Sequence, residues 1–156
     1  MRQFFGDLNP ASLNIPSEIA IGLSNEWLLF DYIPPSGKTL IIQYYFANPD
    51  NLSKALLNEL KQVVETHHIH IFQTFAPSKP PYVFLQSVFT DTKFKVYDCS
   101  MSLVANGMSG SFVGRLTQID KVKYLVGSNP MVFPNRYTSN EIHILAEKKA
   151  VVPSLP

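Results

Sequence analysis

The chain has 156 residues, enough for one domain with a substantial core and too few for two comfortable ones. Hydrophobic residues make up 46% and charged residues only 16%, so part of the surface is expected to be covered, by a partner or by a second copy of the chain. The formal charge is +1 with no run of like charge, which argues against nucleic acid as a partner, because counterion release needs clustered cations.

One cysteine, Cys99, excludes an internal disulfide and fits a reducing compartment. The N-terminal stretch MRQFFGDLNPAS has no signal-peptide apolar region. Apolar runs such as Trp27-Leu28-Leu29-Phe30 fall far short of the ~20 residues that span a bilayer. A cytoplasmic protein without membrane contact is expected.

In chain order, residues 1–17 read as an irregular lead-in rich in Asn, Ser and Pro. Residues 18–23, 26–33 and 38–47 read as strands rich in Ile, Leu, Tyr and Phe, separated by Ser24-Asn25 and by Pro34-Pro35-Ser36-Gly37. A long amphipathic helix follows over residues 48–68. Asn48 is its expected N-cap, Pro49 suits its first position and Asp50 complements its dipole. Leu52, Ala55, Leu56, Leu60, Val63, Val64 and His67 form its apolar stripe.

Further strands are predicted over 69–76, 82–90, up to Ala105, 108–118 and 122–127. Residues 128–140 then read as a long loop, residues 141–146 as a last strand or short helix, and residues 147–156 as a proline-containing tail. The whole of 1–156 is expected to form a single domain. Its fold class is α+β: a mainly antiparallel sheet of seven to nine strands, a sandwich or partly closed barrel, with the one long helix packed on it.

Within ANGMSGSFVGR (105–115), Asn106-Gly107 is a strong signal for a type I′ hairpin turn. Counting from it places Ala105 opposite Met108 and Met101 opposite Phe112 on one apolar face. Val104 then meets Ser109 and Asp98 meets Arg115 on the other. The same letters, Gly107-Met108-Ser109-Gly110-Ser111, resemble the spelling around the nucleophile of chymotrypsin-like serine proteases. That resemblance implies a serine hydrolase using Ser109 with His67, His68 or His70, and Asp98. A ladder strand, however, spends its N–H groups on its neighbour and leaves few for an oxyanion, so Ser109 is expected to be an ordinary strand serine.

His68 and His70 point to one face of a strand and offer an alternative reading as a metal-binding protein, with His143 or Cys99 as a third ligand. The cluster lacks paired cysteines and a His-Glu-x-x-His spelling, so no metal is expected. No glycine-rich phosphate loop occurs, and no cofactor is expected. Tyr44, Tyr45, Phe46, Phe72 and Phe75 could stack on bases, but the cations are scattered along the chain, so core or oligomer contact is the expected use. The loop carries Met131, Phe133, Arg136 and Tyr137, types enriched at interface cores, and these are the expected binding residues. Together the signals favour a non-enzymatic binding or interaction module. It would pair with itself as a homo-oligomer, take a protein partner, or enclose a small apolar ligand.

Overall fold

The computed structural model describes residues 16–133 and 136–151, and these form two compact units: residues 16–66 with 127–130, and residues 67–126 with the described residues from 131 onward. Most of the lead-in expected over residues 1–17 lies outside the described residues, as do residues 152–156 of the expected tail.

The first unit is helical, which corrects all three strands expected before residue 48. Helix α1 is Ser17–Phe30, α2 is Leu40–Ala47 and α3 is Lys54–Thr66. In α1 the buried positions are Ala20, Ser24 and Phe30, with Trp27 half-buried between them. Their spacing is helical, and Ser24-Asn25 continues the helix where a turn was expected. Short apolar runs such as Trp27 to Phe30 carry no period of their own, so the strand reading rested on composition. The turn at Pro34–Gly37 does form: Gly37 has φ +76°, and its N–H donates to the Pro34 carbonyl at 2.9 Å.

Asn48 ends α2 instead of opening a long helix. It sits at φ 41°, in the left-handed region that Asn tolerates, and its Oδ1 accepts from the Leu52 N–H at 2.7 Å. Helix α3 therefore starts at Lys54, with Ser53 Oγ accepting from the Leu56 N–H at 3.3 Å, and spans 13 residues.

The second unit is a barrel. Its strands are β1 (His68–Thr74), β2 (Tyr82–Ser87), β3 (Lys93–Tyr97), β4 (Ser111–Ile119) and β5 (Val122–Phe133), the last apart from its residues 127–130, which group with the first unit. They close in the order β1-β2-β3-β5-β4, with β4 back against β1. All neighbours are antiparallel except β3 and β5, which run parallel through Val96–Lys123 and Tyr97–Tyr124. The α+β class therefore holds, while the sheet is mixed and, among the described residues, has five strands instead of seven to nine. The deficit comes from the helical first unit and from the segment after β3.

The inward-facing residues fill the barrel. Phe72, Val83, Leu85, Val96 and Phe112 are completely buried, with Leu116 beside them. Gly114 of β4 faces the same interior, where a Cβ would sit 3.3 Å from both Leu125 Cδ2 and Phe112 Cε2. Glycine admits the close approach of those side chains.

The hairpin expected around Asn106-Gly107 does not form. β3 stops at Tyr97, and Asp98 caps a short helix, α4 (Cys99–Val104), by accepting the Met101 N–H on Oδ1 at 2.7 Å. A 3-10 turn, Ala105–Gly107, follows. Met101 and Ala105 plug the barrel core, which accounts for their apolar character without a second strand. Asn106 fastens the loop before β2: its Oδ1 accepts from the Ser78 N–H at 2.6 Å, and its Nδ2 donates to the Ser78 carbonyl at 3.3 Å. Asp98→Ala is expected to lower stability by about 1 kcal/mol, the usual value of an N-cap, measured as a shifted urea midpoint at unchanged slope.

Beyond β4, the strand expected to end at 127 runs on to Phe133, and helix α5 (Ser139–Val151) takes the place of the expected last strand or short helix. Thr138 and Glu141 form a capping box at its start. Glu141 Oε2 accepts the Thr138 N–H at 2.7 Å and its hydroxyl at 2.8 Å, while Thr138 Oγ1 accepts the Glu141 N–H at 3.3 Å. The hydrogen bond from the Thr138 backbone, aided by that from its hydroxyl, holds the Glu141 carboxyl below its ordinary value.

Candidate functional site

Alternation along β2 and β3 sorts the barrel's side chains. Val83, Leu85 and Val96 are buried inside, so their neighbours face out. The outer pairs are Tyr82 with Tyr97, Phe84 with Lys95, and Gln86 with Lys93. The parallel bridge adds Tyr124 beside Tyr97 on the same face. Phe75, one residue past β1, joins at the other flank, where its N–H donates to the Phe84 carbonyl at 3.2 Å.

This outer face is a run of aromatic rings with ammonium groups on them. Tyr82 and Tyr97 meet edge to face with centroids 5.7 Å apart, and Tyr97 and Tyr124 at 5.8 Å. Phe75 and Phe84 make a second edge-to-face pair at 6.0 Å. Lys95 Nζ lies 4.0 Å from the Tyr82 ring centroid, and Lys93 Nζ lies 5.2 Å from that of Phe75. Tyr97 is 39% exposed and Phe75 37%, so both rings remain open to a ligand. Contact of the Tyr97 hydroxyl with the Cys99 thiol, at 3.9 Å, raises the phenol above its ordinary value.

The residues singled out in the sequence fall elsewhere. Ser109 is exposed in the irregular stretch between the 3-10 turn and β4. The side chains proposed to serve it have other contacts: His67 Nδ1 lies 2.9 Å from Arg115 Nη1, His70 Nδ1 lies 3.2 Å from Ser87 Oγ, and Asp98 caps α4. Arg115, expected opposite Asp98, is buried beside His67 instead. His68 and His70 do share a face, with ring centroids 6.4 Å apart. Among the described residues no three His, Cys, Asp or Glu side chains gather where they could hold a metal. Cys99 is exposed.

Residues 128–140 are not one long loop. Met131 and Phe133 belong to β5, paired with Val113 and Ser111 of β4; their side chains lie outside the described residues. Arg136 and Tyr137 are tied to β1. Arg136 Nη1 donates to Thr74 Oγ1 at 3.2 Å and Nη2 donates to the Thr74 carbonyl. The Gln73 amide donates to the Tyr137 carbonyl and accepts the Tyr137 N–H, each at 3.0 Å. No helix among the described residues is long and apolar enough to cross a membrane.

Sequence reasoning missed the outer face because its members come from three strands. The available signal was local: Lys93, Lys95 and Tyr97 alternate at the two-residue period of a strand, which commits all three to one side. Comparison with known protein families, curated proteins and solved structures gives no match for this chain.

Proposed function

We propose that the barrel is a non-enzymatic module that binds single-stranded nucleic acid across the outer face of β2, β3 and the start of β5. The observation that carries the reading is the Tyr82–Tyr97–Tyr124 row with Lys95 over its first ring. Exposed aromatic rings stack on bases of any sequence, and neighbouring cations hold the phosphates. The architecture supports the same choice by analogy. A five-stranded barrel closed as β1-β2-β3-β5-β4, with a helix between β3 and β4, resembles the oligonucleotide/oligosaccharide-binding barrel, whose ligands lie on the face of strands 2 and 3. The lysines favour a phosphate-bearing strand over an uncharged sugar chain. The interior, filled by Phe72, Val83, Leu85, Val96 and Phe112, favours an outer site over an enclosed apolar ligand.

This reading departs from the sequence expectation of no nucleic acid. That expectation rested on scattered cations, and the pleat gathers two of them beside the rings. With so few lysines the salt dependence should be shallow, a log–log slope near −1.4 for two phosphate contacts. Anisotropy of a labelled single-stranded oligonucleotide tests the reading. Tyr97→Ala should weaken binding by about 5- to 150-fold, the value of about one stacked base, and Lys95→Gln should reduce the salt slope by about 0.7. Absence of saturable binding at low salt, or full affinity in Tyr97→Ala, would sink it.

A further inference from the structure

We propose a second site, independent of the outer face: the mouth of the barrel where β2 ends and β3 begins binds a phosphate group. The register turns His68 and His70 of β1, Ser87 of β2, Phe94 of β3, Gln118 of β4 and Lys123 of β5 to the inside. Interior positions of a small barrel are ordinarily apolar, as they are at the end plugged by Met101 and Ala105. Here every strand contributes a polar or aromatic side chain to the mouth. His70 lies 3.2 Å from Ser87 Oγ and 5.4 Å from the Phe94 ring. Lys123 Nζ lies 5.6 Å from that same ring and donates to Gln118 Oε1 at 2.8 Å. His68 lies beside His70, with ring centroids 6.4 Å apart.

None of these six side chains is a carboxylate, and among the described residues the Lys123 ammonium meets an amide oxygen and an aromatic face. Its charge has no counter-charge among the six, at the rim of a low-dielectric barrel where an anion is attracted more strongly than in water. The same ammonium repels a metal cation and argues against the two histidines as metal ligands. Donors on β1 and β5 approach from different sides of the mouth. A tetrahedral oxyanion can meet them with separate oxygens, which a planar carboxylate does less well.

Histidine ring resonances followed by NMR during titration with inorganic phosphate test the site. Saturable shifts of His68 and His70 in the millimolar range are expected. Lys123→Gln should weaken them about tenfold or more, the value of a charge-assisted hydrogen bond. His68→Ala, at an exposed position, should weaken them while keeping the native amide spectrum. A 5′-phosphorylated oligonucleotide that moves the same resonances, where its 5′-hydroxyl counterpart does not, would identify a strand end as the source; a response to inorganic phosphate alone would identify the free anion. Tyr97→Ala should leave phosphate binding unchanged, so failure of the outer-face reading does not touch this one. Shifts that stay linear in phosphate, or that saturate equally in wild type, Lys123→Gln and His68→Ala, overturn the proposal.

Discussion

Phe72→Ala is expected to cost about 3–5 kcal/mol of unfolding free energy, the range for emptying a buried aromatic site. Phe72 is completely buried, and its ring touches His70 at 5.1 Å, Phe112 at 5.6 Å and Phe94 at 5.9 Å. Three strands therefore lose packing at once. Collapse into the space is resisted because β1 is hydrogen-bonded on both sides, to β2 and to β4. Against a total stability of about 5–15 kcal/mol for a domain, such a loss leaves a large unfolded fraction at 37 °C. Urea unfolding followed by circular dichroism measures it. Phe72→Leu, which keeps most of the volume, should lose clearly less. A loss below about 1 kcal/mol for Phe72→Ala would show that the barrel interior is not the stabilising core.

Gln73→Ala should release the segment that joins β5 to α5. Gln73 is 4% exposed, and its amide satisfies both backbone groups of Tyr137. Removing it orphans a part-buried N–H and a part-buried carbonyl, at about 1–3 kcal/mol for each group that water cannot reach. Local opening is the cheaper outcome, so faster amide exchange should appear at Tyr137 and Thr138 and in the first turn of α5, while β2 and β3 stay protected. Gln73→Glu separates the two bonds: a carboxylate still accepts the Tyr137 N–H and cannot donate to its carbonyl. An intermediate exchange rate is expected. Unchanged exchange at Tyr137 in Gln73→Ala would mean that Arg136 and the Thr138–Glu141 capping box hold the segment unaided.

The strands of the barrel were legible where apolar and polar residues alternate between clear turns. The strands expected over 69–76, 82–90, 108–118 and 122–127 lie close to β1, β2, β4 and the first half of β5. In the first unit the amphipathic stripe makes α3 legible, but α1 and α2 are not, because runs such as Leu40-Ile41-Ile42 and Trp27-Leu28-Leu29-Phe30 are apolar on every side, and such a run fits a strand or a buried helix equally. The segment 98–115 misled for a more specific reason. Counting outward from Asn106-Gly107 gives two matched faces, whereas Asp98 caps a short helix and the residues paired by the count lie in α4 and the 3-10 turn. The loop expected over 128–140 ends where Thr138 and Glu141 form the capping box of α5. Of the expected binding residues, Arg136 bonds Thr74 through its guanidinium, and Tyr137 bonds Gln73 through its backbone N–H and carbonyl, links between segments more than sixty residues apart. The aromatic face needed the register of three strands at once, which no window along the chain contains.

The closure of β1 against β4 sets the order in which the barrel can be assembled. The β1–β2–β3 meander and the β4–β5 hairpin each join neighbours in sequence and can zip up within microseconds to milliseconds once nucleated. Pairing of His68 with Leu116, and of Val96 with Lys123, joins segments separated by other strands and α4, so chain entropy is lost before those contacts return anything. The rate-limiting barrier is therefore expected at ring closure. Mutations at the β1–β4 and β3–β5 seams should slow refolding, whereas those in the β2–β3 hairpin should act mainly on local stability. A chain cut and rejoined between β3 and β4 would face a different closure, with the same native barrel at its end.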